Sequence, residues 1–290
     1  YTVPLGAKGG EIRVVTVQGD RLSLHAVPER GGEPRLVGTV DGTEHFGLSE
    51  NHLAYMQRDR AFVRALDDWS RPLRVGDDTP VDAEVGISPD GRLVAAVNQQ
   101  GEIRIWPTGG PTRPFRVLRA PGTPWLTFDR RGRRLAAWGV AEGVALARVF
   151  DLEGPAGVEP LELRRSDGVF FNGADFDPTG RWLAAGNVGE AALWALSDRR
   201  AHVRRSERLP ETVVFTPDGE RLVEAGRGGA FVWDLGRGAS EPGRPLPEAP
   251  RGFAHMALDP AGQRVAISGF RGRVAVLPLA ADGRALPRSA

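Results

Sequence analysis

Short runs in which apolar and polar residues alternate recur along this chain, each followed by a tight turn and a continuously apolar run. Before the turn, one apolar column holds Val85, Leu126, Ala174, Val213 and Met256. Two residues later stand Ile87, Phe128, Phe176, Phe215 and Leu258. Period two with one apolar face predicts β-strands. The turns read Ser88-Pro89-Asp90-Gly91, Asp129-Arg130-Arg131-Gly132, Asp177-Pro178-Thr179-Gly180, Thr216-Pro217-Asp218-Gly219 and Asp259-Pro260-Ala261-Gly262. The short polar residue opening each can bond the turn's own backbone, and Pro and Gly fix the reversal. After the turn, Val94, Leu135, Leu183, Leu222 and Val265 form one column, followed by small residues. Such a run fits a strand covered on both faces. A third strand follows, containing Ile103–Trp106, Ala147–Leu152, Ala191–Trp194, Ala230–Leu235 and Val274–Leu277. Trp106, Trp194 and Trp233 are expected in its core. A weakly marked fourth strand would hold Phe115–Leu118 and its counterparts.

The turn glycines at 91, 132, 180, 219 and 262 lie 41, 48, 39 and 43 residues apart. A period in the low forties with four short strands per unit predicts β-propeller blades. The long step implies a loop or bulge near Gly154-Pro155-Ala156-Gly157. Counting back, Leu48–Tyr55 reads as a worn turn and second strand, and Gly6–Gly10 as another before Glu11–Val17. Five clear units and two worn ones fill the chain, about 41 residues each. The expected architecture is therefore all-β, a single seven-bladed propeller with four antiparallel strands per blade. The blades run roughly 1–41, 42–81, 82–122, 123–170, 171–209, 210–251 and 252–290. Ring closure has two forms: each terminal blade is complete in chain order, or Tyr1–Leu5 pairs beside the final blade.

The Ser-Pro-Asp-Gly type of turn, the Leu-Ala-Ala strand and a third strand ending in Trp-Asp or a relative resemble the WD-repeat family, over essentially the whole chain. Only Trp233-Asp234 carries the eponymous dipeptide, and no Gly-His pair opens a repeat. The resemblance is thus to divergent, bacterial-type repeats, without the family's buried Ser/Thr-His-Asp-Trp network. It implies a sensor or scaffold module of a longer chain, one that can also carry an ATPase, kinase or protease domain.

Composition narrows the reading further. There are no cysteines, which excludes disulfides, thiol catalysis and zinc–thiolate sites. The net charge of +1 provides no global field for nucleic acid. Of 38 Lys and Arg residues only Lys8 is lysine, a bias that fits a GC-rich bacterial genome. No apolar run is long enough for a transmembrane helix and no signal-peptide pattern opens the chain, so a cytoplasmic location is expected. The chain starts at Tyr1, which points to a processed chain or an excised domain. One local cluster, Arg199, Arg200, Arg204, Arg205 and Arg208, reads as a solvated outer strand whose charges block edge pairing. A phosphate-binding patch is the other reading, but interleaved aromatics are missing. Nucleic acid and membrane are not expected partners.

The search for chemistry finds no Gly-x-Ser-x-Gly elbow, phosphate-binding loop or His-Glu-x-x-His. The aspartates Asp90, Asp177 and Asp218 repeat with the period and so belong to the turns. His25, His45, His52, His202 and His255 lack metal-ligand spacing, although His45 and His255 occupy matching places at the start of a first strand. No cofactor, metal or catalytic residue is expected. The residues unique to their positions are aromatic or arginine: Trp125 and His255 at first-strand starts, Phe170 and Phe171 in a leading loop, and Arg58, Arg227, Phe270 and Arg271 in second-to-third-strand turns. These form the expected partner-binding set, since Trp and Arg dominate interface energetics. Trp125 and Phe171 could equally plug the channel. The expected function is a non-catalytic docking or sensing domain for a protein, a peptide or another domain of the parent chain. The alternative is an enzyme or ligand site at the channel mouth. Glu84, Asp77, Asp78 and Asp82 are the nearest carboxylates there, and three of them could hold calcium.

Overall fold

The computed structural model describes the chain except residues 1, 9–10, 29–32, 44, 50, 77–79, 110–112, 166–172, 188–189, 197–200, 206–209, 227, 236–242, 251–254, 259–260, 269–273 and 280–290. All its regular elements are strands, and every sheet runs antiparallel in chain order. Two compact units divide the chain. One comprises 1–141 with 148–160, the other 142–147 with 161–290. Among the described residues no helix is long and apolar enough to cross a membrane.

The first unit holds three whole four-stranded sheets. They are β1 (Thr2–Lys8) to β4 (Arg35–Val40) through β2 (Glu11–Gln18) and β3 (Arg21–Pro28); β5 (Phe46–Leu48), β6 (His52–Gln57), β7 (Arg60–Ala65) and β8 (Leu73–Val75); and β9 (Glu84–Ile87), β10 (Leu93–Val97), β11 (Glu102–Pro107) and β12 (Arg116–Arg119). The division falls inside the fourth sheet, β13 (Trp125–Phe128), β14 (Arg134–Ala141), β15 (Val144–Asp151) and β16 (Leu161–Arg165). The second unit continues with β17 (Gly173–Phe176), β18 (Trp182–Asn187), β19 (Glu190–Ala195) and β20 (Ala201–Arg205). Then come β21 (Pro210–Phe215), β22 (Arg221–Gly226), β23 (Gly229–Asp234) and β24 (Arg244–Leu246). Last are β25 (His255–Leu258), β26 (Arg264–Ser268) and β27 (Val274–Pro278). Of the two ways the first sheet could be built, the chain-order one is found: β1 pairs with β2, Thr2 opposite Thr16. The extra residues of the 48-residue step are spread over the eight-residue strands β14 and β15 as well as the 152–160 connection. Of the arginine cluster, Arg204 and Arg205 lie on β20, an edge strand paired only with β19; Arg199, Arg200 and Arg208 lie outside the described residues.

The second strand β10 is apolar at every position because it serves two neighbours. In β10, Val94 and Ala96 pack with Ala54, Met56, Val63 and Val75 of the sheet before. Ala95 and Val97 face the other way, joining Ile103 and Ile105 against Phe128, Leu135 and Ala137 of the sheet after. The same alternation in the second unit sets Leu222 among Leu193 and Phe215, and Val223 and Ala225 against Val265 and Ile267. Trp106, Trp194 and Trp233 are buried, as expected. The indole N–H of Trp106 has no hydrogen-bond partner among the described residues.

The first-to-second-strand turns are alike in chemistry. Ser88 Oγ accepts the Leu93 amide (2.9 Å), Asp129 Oδ1 the Arg134 amide (2.9 Å), Asp177 Oδ1 the Trp182 amide (2.6 Å) and Thr216 Oγ1 the Arg221 amide (3.0 Å). All four of these side chains are buried. In the worn second repeat Ser49 Oγ does the same for the His52 amide (3.1 Å). Gly91, Gly132, Gly180, Gly219 and Gly262 take φ between 64° and 73°, open to glycine at least cost. Gly91, Gly132, Gly219 and Gly262 are also pressed against the preceding turn. A Cβ on Gly91 would stand 2.8 Å from His52 Nδ1, one on Gly132 3.2 Å from Ser88 Cβ, and one on Gly262 2.6 Å from Pro217 Cδ. Gly143 has the same sign of φ (77°) but nothing within 4 Å of its Cβ. Gly143→Ala is therefore expected to cost about 1 kcal/mol for backbone conformation alone. Gly262→Ala, where crowding adds to conformation, should cost roughly 2–4 kcal/mol. Urea unfolding of the two variants checks the difference.

Asp90 and Asp218 complete two turns. Ser88 donates its hydroxyl to Asp90 Oδ1 (2.6 Å), which also accepts the Arg92 amide (3.0 Å). Partial burial pushes the Asp90 carboxyl up, but these bonds and the Arg92 side chain outweigh it and hold it below the usual carboxylate range. In Asp218 burial is likewise outweighed by the Thr216 hydroxyl, the Glu220 amide and the Arg221 charge. A carboxyl depressed in the folded state stabilises above its unfolded value, about 4, and that gain is lost as pH falls through the folded value. Asp90→Asn should thus lower the Tm at pH 7, with the gap from wild type closing below about pH 4. Thermal melts over an acid series read this directly.

Candidate functional site

The first strands of four sheets begin on equivalent pairs of the first hairpin. Glu84 lies opposite Val97, Trp125 opposite Trp138, Gly173 opposite Gly186 and His255 opposite Ser268. His45 takes the same place just before β5, its carbonyl accepting the Met56 amide (3.0 Å). In the first unit β5 lies against β9 and β9 against β13. The approach is close because the adjoining residues are small. A Cβ on Gly47 would stand 3.0 Å from Gly86 Cα, and one on Gly86 3.8 Å from Phe128 Cε2. His45, Glu84 and Trp125 therefore stand at one level where three neighbouring strands begin.

Each is held from below. His45 Nδ1 pairs with Glu84 Oε2 at 3.3 Å, both side chains partly buried, and Glu84 Oε1 accepts the Val85 amide at 3.2 Å. Trp125 stacks on Trp138, ring centroids 5.0 Å apart and planes 21° from parallel. Trp138 is 7% exposed and Trp125 40%. The leading loop is tied down: the Thr123 hydroxyl donates to the Ala120 carbonyl (2.5 Å), and Arg148 Nη1 donates to the Pro121 carbonyl (2.8 Å). A Cβ on Gly139 would lie 2.4 Å from the Gly122 carbonyl, so the loop rests directly on β14. Trp125 is presented on a fixed support with part of its indole open to solvent.

Other leading loops are bonded to the preceding sheet's second-to-third-strand turn. The Thr43 amide donates to the Asp20 carbonyl (2.9 Å) and the Val81 amide to the Asp59 carbonyl (3.1 Å). Arg58, exposed, occupies such a turn with Asp59, both left-handed at φ 52° and 58°. This is a two-residue hairpin turn built without glycine, a conformation that costs about 1–3 kcal/mol per residue and is often found at functional sites. His255 begins β25, as expected. Phe170, Phe171, Arg227, Phe270 and Arg271 lie outside the described residues, as do Asp77 and Asp78. The remaining acid of that loop, Asp82, accepts the Gln99 amide on Oδ1 (2.8 Å). Among the described residues no group of three or more His, Cys, Asp or Glu could hold a metal ion.

Three features of the site escaped the sequence reading: Trp138 beneath Trp125, the His45–Glu84 pair, and the left-handed Arg58-Asp59 turn. Trp138 was legible, because a hairpin that pairs Phe128 with Leu135 must pair Trp125 with Trp138. The other two depend on how neighbouring sheets approach.

No protein-family model matches the chain, and no curated protein matches it. Among solved structures it is similar to Kuenenia stuttgartiensis hydrazine synthase, with a TM-score of 0.67 over 96% of this chain and 95% of that chain, at 16% identity. At that identity the likeness concerns the fold alone.

Trp138→Ala is expected to destabilise by roughly 3–5 kcal/mol, as for other buried aromatics. Trp125→Ala, which leaves Trp138 capped by less ring but the core filled, should cost about 1 kcal/mol. Thermal denaturation of both variants tests the split between supporting and presented ring.

Proposed function

We propose that the chain is a seven-bladed β-propeller of the divergent WD-repeat type, and that it serves as a non-catalytic docking or sensing domain. Its partner is a protein, a peptide or another domain of the same parent chain, bound where the first strands begin. The observation that supports this most is Trp125, 40% exposed and seated on a buried tryptophan. An open indole fixed before binding loses little conformational freedom in a complex, which is why rigid aromatic residues anchor interfaces. Of the nearby carboxylates, Asp82 accepts the Gln99 amide, and Glu84 pairs with His45 and accepts the Val85 amide. The Arg-for-Lys composition and the resemblance to bacterial repeats fit a module of a larger cytoplasmic signalling or defence protein.

The test is affinity capture from lysate of the native source with wild type and Trp125→Ala, matched by melting curves. A specific protein held by wild type and lost by a variant whose Tm falls by no more than about 4 °C is the expected result. A drop of about 10 °C or more would make Trp125 a structural plug. A partner retained by the stably folded variant would place docking elsewhere.

A further inference from the structure

The docking row has a chemistry of its own. Glu84 and Trp125 start adjoining strands at one level, and just below them a Cβ on Gly86 would stand 3.8 Å from Phe128 Cε2 and 3.9 Å from Leu126 Cβ. One face of the Trp125 indole is taken by Trp138, leaving the remainder open. Beside it, the Glu84 carboxylate receives one contact on each oxygen, His45 at 3.3 Å and the Val85 amide at 3.2 Å, so each oxygen retains accepting capacity. Arg148, which supports the Trp125 loop, donates to the Pro121 carbonyl at 2.8 Å. An open π-face next to a carboxylate attracts a cation.

We infer, on the docking reading above, that this row recognises an arginine side chain of the partner, its guanidinium lying on the Trp125 indole and forking toward Glu84. Arginine fits better than lysine on physical grounds. Its planar group stacks on an aromatic face and presents paired N–H donors to a carboxylate, whereas an ammonium is a compact, strongly hydrated point charge.

The probe is a short Gly/Ser peptide with one central arginine, set against the same peptide carrying citrulline, which keeps shape and loses charge. Binding is followed on the indole N–H resonance of Trp125, assigned by its loss in Trp125→Phe. The arginine peptide should move that resonance with a Kd about tenfold below that of the citrulline peptide, lysine falling between. In Glu84→Gln with an unchanged melt, most of the arginine preference should vanish. Equal affinity for arginine and citrulline peptides, or a Trp125 resonance that neither moves, overturns arginine recognition, and this comparison needs no variant to fold. The failures are separable: a natural partner lost by Trp125→Ala yet undisturbed by excess arginine peptide removes this inference and leaves the docking role standing.

Discussion

The placement of five of this chain's sheets rests on one recurring turn. A buried Ser, Thr or Asp side chain accepts the amide that opens the second strand, and three residues later a glycine turns left-handed. Neither half suffices alone. The acceptor satisfies a backbone N–H that would otherwise be buried without a partner, at a cost of about 1–3 kcal/mol. The glycine closes the reversal and has no Cβ to strike the preceding turn, which lies within 2.6–3.2 Å of where one would be at 91, 132 and 262. The same few residues thus settle the register within a sheet and the seat of that sheet on its neighbour.

Register then decides which residues meet. Because side chains alternate, a slip of one would turn Val94 and Ala96 away from the sheet before and bring Ala95 and Val97 in their place. Small residues hold the second strand because two packed faces leave little room, and the paired glycines Gly47 and Gly86 let first strands approach still closer. A row of first-strand starts at common height follows. That row is where sequence is released from the packing requirement, since its residues lie beyond the last shared core position. His45, Glu84 and Trp125 differ from one another there, while the column one step inside is apolar in every clear repeat.

This division explains what could be read from the sequence. The strands, their order and the turn acceptors follow from local periodicity and turn chemistry, and residues such as Ser88 and Gly91 carry both in a few positions. Trp125 stood out because it broke a column. The His45–Glu84 pair joins residues 39 apart on different sheets, and no periodicity reports the distance between them. Burial of the third strand is equally hidden. Val276 holds the position of Ile105 in its sheet, yet it is 60% exposed where Ile105 is 0%. The letters are alike, and what covers the face is decided by a surface elsewhere in the fold.

The tryptophan stack also separates exposure from mere surface decoration. A lone exposed indole on a strand would be free to change rotamer and would lose that freedom on binding, at about 0.5–1.5 kcal/mol. Trp125 is instead held by cross-strand stacking on Trp138, by a leading loop bonded through Thr123 and Arg148, and by the close passage of that loop over Gly139. Stacking buries one face and stiffens the ring, and the open remainder keeps its hydration only until something apolar or cationic displaces it. A residue needed solely to fill the core would be drawn further in, as Trp106 and Trp194 are. The support around Trp125 thus fixes a ring that stays 40% exposed.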